Sequence, residues 1–152
     1  SVASAAAIGK RRQSAHMTKA KVIMSADDDT LRAAGLSRQK IRYARALAAS
    51  GIDFTRLRQC DDAEVISVLT EVSGIGVWTA EIYAMFSLSR PDIFAPGDLA
   101  LQEAARSLFD LPQRPKECAL RQMAEAWSPW RSVAARLLWA YYAVIKNKEG
   151  IA

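Results

Sequence analysis

The chain has 152 residues, of which 51% are apolar and 24% charged, a globular composition with enough length for one core. The net charge of +5 favours a polyanionic partner, with nucleic acid first and an anionic membrane second. No stretch approaches the roughly 20 apolar residues that a membrane-spanning helix needs, so we expect no membrane partner. The two cysteines, Cys60 and Cys118, cannot form a four-cysteine zinc or iron–sulfur site, and the single histidine, His16, cannot form a multi-histidine metal site.

The predicted elements are helices from one end of the chain to the other. No run alternates between β-branched and polar residues as a half-buried strand would. Ser37 is placed to cap one helix, and Ser128 with Pro129 is placed to open the last. A third cap is expected at Asp28 or Asp29. We therefore predict an all-α chain of about eight helices, over 1–12, 30–34, 38–49, 62–69, 77–88, 98–108, 116–127 and 129–145. The segment 13–26 is ambiguous, with helical character around 18–24.

The segment 69–80, LTEVSGIGVWTA, predicts a helix, a tight glycine turn and a second helix. Gly74 and Gly76 allow a sharp reversal, because glycine tolerates positive φ, and neither has a side chain to keep a phosphate from the backbone. The free N–H groups and the positive end of the second helix form an anion site. An ordinary helix–turn–helix connection would have the same pattern.

Two further segments contain residues suited to chemistry. Asp98 follows Pro96-Gly97 and precedes an apolar helix, so it is either a helix N-cap or a fixed carboxylate aimed into a cleft. Three of the four tryptophans lie near the end of the chain, in 127–131 (WSPWR) and at Trp139. Such tryptophans form either an aromatic core or a surface for ligand stacking.

In this order, the three segments resemble the helix-hairpin-helix DNA glycosylases, and within that superfamily the 3-methyladenine DNA glycosylase II type. The resemblance runs from residue 1 to about 142 and is most specific over 29–40 and 72–101. It implies an all-α fold with two helical subdomains and a cleft between them. It also implies that 1–152 is one glycosylase domain that lacks the family's N-terminal portion, including the residue that wedges into the duplex.

The resemblance implies roles for individual residues. Asp98 falls on the catalytic aspartate of the family. The positions that line the base pocket are Trp78, Trp139, Ile82 and Tyr83. The positions that hold the DNA backbone are Gly74, Ile75, Gly76 and Thr79. The carbonyl groups that can hold a monovalent cation bridging to phosphate belong to Thr70, Val72 and Gly74. The chain departs from the family at Ser73, where proline is frequent, and at Ile82, where some members have an aromatic residue.

The implied activity is base excision repair of damaged double-stranded DNA by a monomer. The enzyme would flip out an alkylated, cationic purine and hydrolyse its N-glycosidic bond, with Asp98 stabilising an oxocarbenium-like state or activating water. Bifunctional relatives have a nucleophilic lysine where this chain has Trp78, so we expect a monofunctional glycosylase without abasic-site lyase activity. We expect no required cofactor and no iron–sulfur cluster. The expected location is the cytoplasm or nucleoid of a bacterium, or the nucleus of a eukaryote.

Two alternatives remain open on the sequence. A non-catalytic helix-hairpin-helix DNA-binding module would share the glycine turn and the basic charge, but it would not need Asp98 or a tryptophan pair. An all-α protein-interaction domain would leave the charge of +5 without a role. Salt-sensitive DNA binding distinguishes the second alternative from the glycosylase.

Overall fold

The computed structural model describes residues 20–149, with side chains for 20–147. Within those residues there is no strand, which confirms the all-α prediction. The expected helix over 1–12 and His16 lie outside the described residues. Residues 20–149 form nine helices, which are α1 (Ala20–Ser25), α2 (Asp28–Ala33), α3 (Arg38–Ala49), α4 (Phe54–Leu57), α5 (Asp62–Thr70), α6 (Val77–Phe86), α7 (Leu99–Leu108), α8 (Glu117–Glu125) and α9 (Arg131–Glu149).

Side-chain caps explain where several helices begin. Ser37 caps α3 as predicted, because its hydroxyl accepts the N–H of Lys40 at 3.3 Å. The cap of α2 is Asp27, one residue before the predicted position, and it accepts the N–H of Thr30 at 2.7 Å. The hydrogen bond holds the pKa of Asp27 below its ordinary value. The short helix α4 was not predicted from the sequence; Asp53 accepts the N–H groups of its second and third residues.

The last helix begins later than the sequence predicts. Ser128 does not cap it, because the Ser128 hydroxyl donates to Asp92 Oδ2 at 2.8 Å. Arg131 donates to the same carboxylate through Nε at 2.7 Å and through its backbone N–H at 3.3 Å. Trp130 is held in a turn by Trp127, so α9 begins at Arg131. A long-range ion pair therefore replaces the local cap that the sequence suggests.

The chain divides into two compact units, and each has its own core. Among the described residues, the first unit contains 20–57 and 68–75, and the second contains 58–67 and 76–149. In the first unit, α1 and α2 pack on α3 around Leu31, Ala34, Leu36 and Ile41. In the second unit, α7 packs on α8 and α9 around residues that include Met85, Leu101, Ala104, Ala105 and Leu120. The interpretation of 1–152 as one glycosylase domain with a cleft stays a prediction.

Neither a membrane-spanning helix nor a disulfide occurs among the described residues. Over 20–149, no helix is both long enough and apolar enough to cross a membrane. Cys60 is buried, Cys118 is exposed, and neither forms a disulfide.

Candidate active site

Asp98 is the N-cap of α7, and its carboxylate is held at two points by the helix that it begins. Asp98 Oδ1 accepts the N–H of Ala100 at 2.9 Å and the N–H of Leu101 at 3.1 Å. Sequence reasoning left the cap and the fixed carboxylate as alternatives. The structure confirms the cap, and the capping bonds to Oδ1 also fix where Oδ2 lies. The role of a carboxylate aimed into a cleft stays a prediction.

Two indole N–H groups converge on the same carboxylate. Trp78, near the start of α6, donates to Asp98 Oδ2 at 3.2 Å. Trp139, in the middle of α9, donates to Asp98 Oδ1 at 3.2 Å. Three elements that are distant in sequence therefore bring together the three residues that the resemblance marks. The carboxylate has N–H donors on both oxygens, and these donors fix its orientation.

The aromatic surface around Asp98 extends along one face of α6. Residues four apart share a helix face, so Trp78, Ile82 and Phe86 form a stripe. The Phe86 ring lies 5.6 Å from the Trp139 ring, measured between centroids. Trp78 and Phe86 are 48% and 50% exposed, which leaves apolar surface open to a ligand beside Asp98. The predicted pocket residue Tyr83 is half-buried on α6, and its role in the pocket stays a prediction.

Two residues of this surface were missed by the sequence reasoning. Phe86 contacts Trp139, and the guanidinium of Arg136 lies 4.9 Å from the centre of the Phe86 ring. The spacing of eight residues between Trp78 and Phe86 is the signal that could have identified Phe86. Arg136 precedes Trp139 by one helical turn, but no motif distinguishes it from the other basic residues.

The glycine turn has the geometry that the motif predicts. Gly74 has φ +92°, and a Cβ at this position would overlap the ring of Tyr43. The turn is closed by the N–H of Ile75, which donates to the carbonyl of Val72 at 3.0 Å. Gly76 is the N-cap of α6 and supplies no side-chain hydrogen bond, so no side chain of the cap covers the first N–H groups of the helix.

The turn also contains the carbonyl groups expected to hold a monovalent cation. Thr70 ends α5, and Val72 and Gly74 follow at alternate positions. The Val72 carbonyl accepts one hydrogen bond, and a carbonyl oxygen has a second lone pair for a ligand. Within the described residues, no group of three or more histidine, cysteine or carboxylate side chains could hold a metal. The assignment of these three carbonyl groups to a monovalent cation stays a prediction.

The remaining tryptophans have a different environment. The Trp127 ring lies 5.3 Å from the ring of Phe94 and stacks on the ring of Phe109 at 6.2 Å. Trp127 therefore belongs to an aromatic cluster in the second unit. Trp130 is exposed in the turn before α9.

Comparison with known proteins adds the family context. The profile of the HhH-GPD superfamily of base excision DNA repair proteins matches residues 1–129. DNA-3-methyladenine glycosylase 1 of Schizosaccharomyces pombe is 34% identical over 122 residues, which covers 77% of this chain and 54% of that protein. The chain spans about half the length of the curated relatives that it matches.

Solved structures have the same fold. The crystal structure of DNA-3-methyladenine glycosidase from Bacillus halodurans aligns with a TM-score of 0.80 and 35% identity, over 97% of this chain and 71% of that one. The Schizosaccharomyces pombe 3-methyladenine DNA glycosylase in complex with abasic DNA aligns with a TM-score of 0.72 and 30% identity, over 80% and 61% of the two chains.

Proposed function

The chain belongs to the HhH-GPD superfamily of base excision DNA repair proteins, and from that membership we propose that it is an alkylbase DNA glycosylase. It releases an alkylated purine by hydrolysing the N-glycosidic bond. The observation that carries this proposal is the Asp98 carboxylate, which has N–H donors on both oxygens and open aromatic surface beside it. Relatives named as 3-methyladenine glycosylases support the choice of lesion class.

Asp98 acts on the sugar. Cleavage of the glycosidic bond leaves positive charge at C1′, and a fixed carboxylate stabilises that charge without having to reorganise. The four N–H groups keep the Asp98 carboxylate oriented before the DNA arrives. The same carboxylate then orients the attacking water or accepts its proton.

The tryptophans act on the base. The indole N–H edges of Trp78 and Trp139 are directed at Asp98, so these hydrogen bonds do not use the ring faces, and Trp78 is about half exposed. A cationic alkylated purine is attracted to an indole face, by about 2 kcal/mol where water is excluded. Because such a base already has a positive charge, it leaves without a general acid, and the site needs no histidine.

The reaction ends with an abasic site. Trp78 occupies the position where bifunctional relatives have lysine, and an indole nitrogen cannot form a Schiff base with C1′. We therefore propose a monofunctional glycosylase. Borohydride treatment during the reaction should trap no covalent protein–DNA adduct, and a stoichiometric adduct would show that a lysine elsewhere reaches the sugar.

The glycine turn binds the DNA backbone in this proposal. The N–H groups at the start of α6 are donors for a phosphate, since the Gly76 cap has no side chain to occupy them. The carbonyl groups of Thr70, Val72 and Gly74 would hold a monovalent cation, which would supply further positive charge for binding the DNA backbone. A cation dependence of DNA affinity, compared in potassium and tetramethylammonium salts, tests this assignment.

The experiment that tests the function is base release from DNA treated with a methylating agent. Free bases are separated by chromatography and compared with those from undamaged DNA of the same sequence. Release of methylated purines is the expected result. Salt-dependent DNA binding without release would instead identify a non-catalytic DNA-binding module.

A further inference from the structure

Helix α6 contains a buried carboxylate that the base-release chemistry does not use. Glu81 is only 5% exposed, and its buried neighbours on the helix are Ala80, Ala84 and Met85. An ionised carboxylate in such surroundings is strongly unfavourable unless it is paired. Apolar packing therefore does not explain why a glutamate occupies this buried position.

The partner of Glu81 is an arginine that bridges two carboxylates. Arg121 Nη2 lies 3.0 Å from Glu81 Oε1 and 3.2 Å from Glu117 Oε1. Burial raises the pKa of Glu81, and the hydrogen bond from Arg121 opposes that rise. The two carboxylates and the guanidinium connect α6 with α8, and we call these three side chains the Glu81 network.

The Glu81 network lies against the residue that precedes Asp98. A Cβ at Gly97 would be 3.5 Å from Glu117 Oε2 and 3.9 Å from the Cβ of Trp78. Glu81 follows Trp78 by three residues on α6, so the two lie on neighbouring positions of one helix face. The network therefore joins α6, the helix that contains Trp78, to the side chain of Glu117, which lies beside the loop that precedes Asp98.

We propose that Glu81 is a positioning residue for the candidate active site. Through Arg121 and Glu117 it fixes the start of α6 against the loop at Gly97, so that the Trp78 indole N–H stays on Asp98 Oδ2. This proposal rests on the proposed glycosylase function and deepens it. A network needed only for stability would not control the position of the Trp78 indole. Apolar residues of similar volume can often replace a buried ion pair without loss of stability.

The first test uses NMR of the protein labelled with 15N at the indole nitrogens. In Glu81→Gln, the Trp78 indole N–H resonance should move towards the position of an indole that is hydrogen-bonded to water, while the Trp127 resonance stays in place. Glu103→Gln is the matched control, because it removes the surface ion pair of Glu103 with Arg106 on α7. An unchanged Trp78 resonance in Glu81→Gln would overturn the proposal.

The second test measures the coupling between Glu81 and Trp78 in single-turnover base release at saturating enzyme. Glu81→Gln should slow release by about tenfold, since small displacements of oriented groups cost rates of that order. Trp78→Phe removes the indole N–H, and the double variant should be no slower than Trp78→Phe alone. Additive losses, or a rate for Glu81→Gln equal to that of wild type, would contradict the positioning role.

The two tests distinguish a failure of the proposed glycosylase function from a failure of the positioning role of Glu81. If the wild type releases no base, the glycosylase function fails, while the NMR shift still reports whether Glu81 positions Trp78. If Glu81→Gln does not fold, Glu117→Gln replaces it, because Glu117 is half-exposed and its loss removes only one arm of the network. Glu117→Gln should move the same Trp78 resonance in the same direction, and no movement would overturn the proposal.

Discussion

At position 98, one side chain both begins a helix and forms the charged centre of the site. Oδ1 accepts two backbone N–H groups of α7 and the indole of Trp139, while Oδ2 accepts the indole of Trp78. The helix therefore fixes the carboxylate with the same bonds that cap it. Asparagine at this position keeps a capping oxygen and the shape but removes the charge, which separates the two tasks.

We expect Asp98→Asn to abolish base release from methylated DNA while DNA binding stays close to wild type. The loss should be at least about 100-fold, the scale on which a preorganised electrostatic group contributes. Stability should fall by no more than about 1 kcal/mol, because asparagine and aspartate are similar N-caps. Base release and thermal unfolding measure the two effects separately.

The matched control for this variant is Asp53→Asn. Asp53 also accepts two backbone N–H groups, at the start of α4, and it is not one of the residues of the candidate active site. The Asp53→Asn variant should release bases at the wild-type rate. Near-normal turnover by Asp98→Asn would remove Asp98 from the catalytic role.

At the scale of elements, the glycine turn allows a prediction with an internal comparison. Gly74 has φ +92° and no room for a Cβ against Tyr43, whereas Gly51 has φ +67° and open space around it. Gly51→Ala should cost about 1 kcal/mol of unfolding free energy from backbone strain alone. Gly74→Ala should cost about 2 kcal/mol more, because overpacking adds to the strain.

Chemical denaturation of the two variants measures the difference, and equal losses would contradict the close packing of Tyr43 on the turn. Gly76→Ala provides a third case, since Gly76 has negative φ and no atom within 4 Å of a Cβ. It should fold normally and bind DNA more weakly, because the added methyl group projects into the space that a phosphate would occupy.

The start of α9 depends on Asp92, which holds Ser128 and Arg131. The hydrogen bonds from Arg131 hold the pKa of Asp92 well below its ordinary value. A carboxylate with a depressed folded-state pKa stabilises the protein above its unfolded pKa, and that contribution disappears as pH falls through the folded pKa. The stabilisation should therefore be present at neutral pH and fall away below about pH 4.

We expect Asp92→Asn to lower the unfolding free energy at pH 7 by about 1–3 kcal/mol, the range for hydrogen bonds to charged groups. The difference from wild type should shrink as the pH falls below about 4, because Asp92 of the unfolded chain then takes up a proton while the folded protein keeps the carboxylate ionised, which favours the unfolded state of the wild type. Urea denaturation between pH 7 and pH 3 measures it. A difference that is constant across this range would show that the ionised carboxylate is not the source of the stability.

For the whole molecule, the net charge of +5 predicts a steep salt dependence of binding to undamaged duplex. Each phosphate neutralised contributes about −0.9 to the slope of log affinity against log salt. A footprint of several phosphates therefore gives a slope steeper than about −2. Fluorescence anisotropy between 50 and 200 mM salt, about the range where such contacts are lost, measures it. A flat dependence would favour a protein-interaction domain.

The sequence by itself determined most of the helices and the local geometry of the glycine turn. Caps such as Ser37 and left-handed glycines such as Gly74 act over three or four residues, so their patterns can be recognised along the chain. Asp98 was identified as a cap and as a candidate carboxylate for the same reason. The resemblance to the glycosylases added the pairing of this residue with Trp78 and Trp139, which local patterns do not contain.

Only the tertiary structure decided which groups meet. The two indole N–H groups on Asp98 come from positions 20 and 41 residues away, so no local pattern encodes them. Helix α9 begins at Arg131, later than the sequence predicts, because Asp92 binds Arg131 across 39 residues of sequence in place of a local cap. The role of Glu81 also depends on packing. In the sequence Glu81 resembles a surface residue of an amphipathic helix, but in the structure it is buried and paired with Arg121. Hydrogen bonds and ion pairs of long sequence separation depend on how the helices pack, and that packing is set by the whole core.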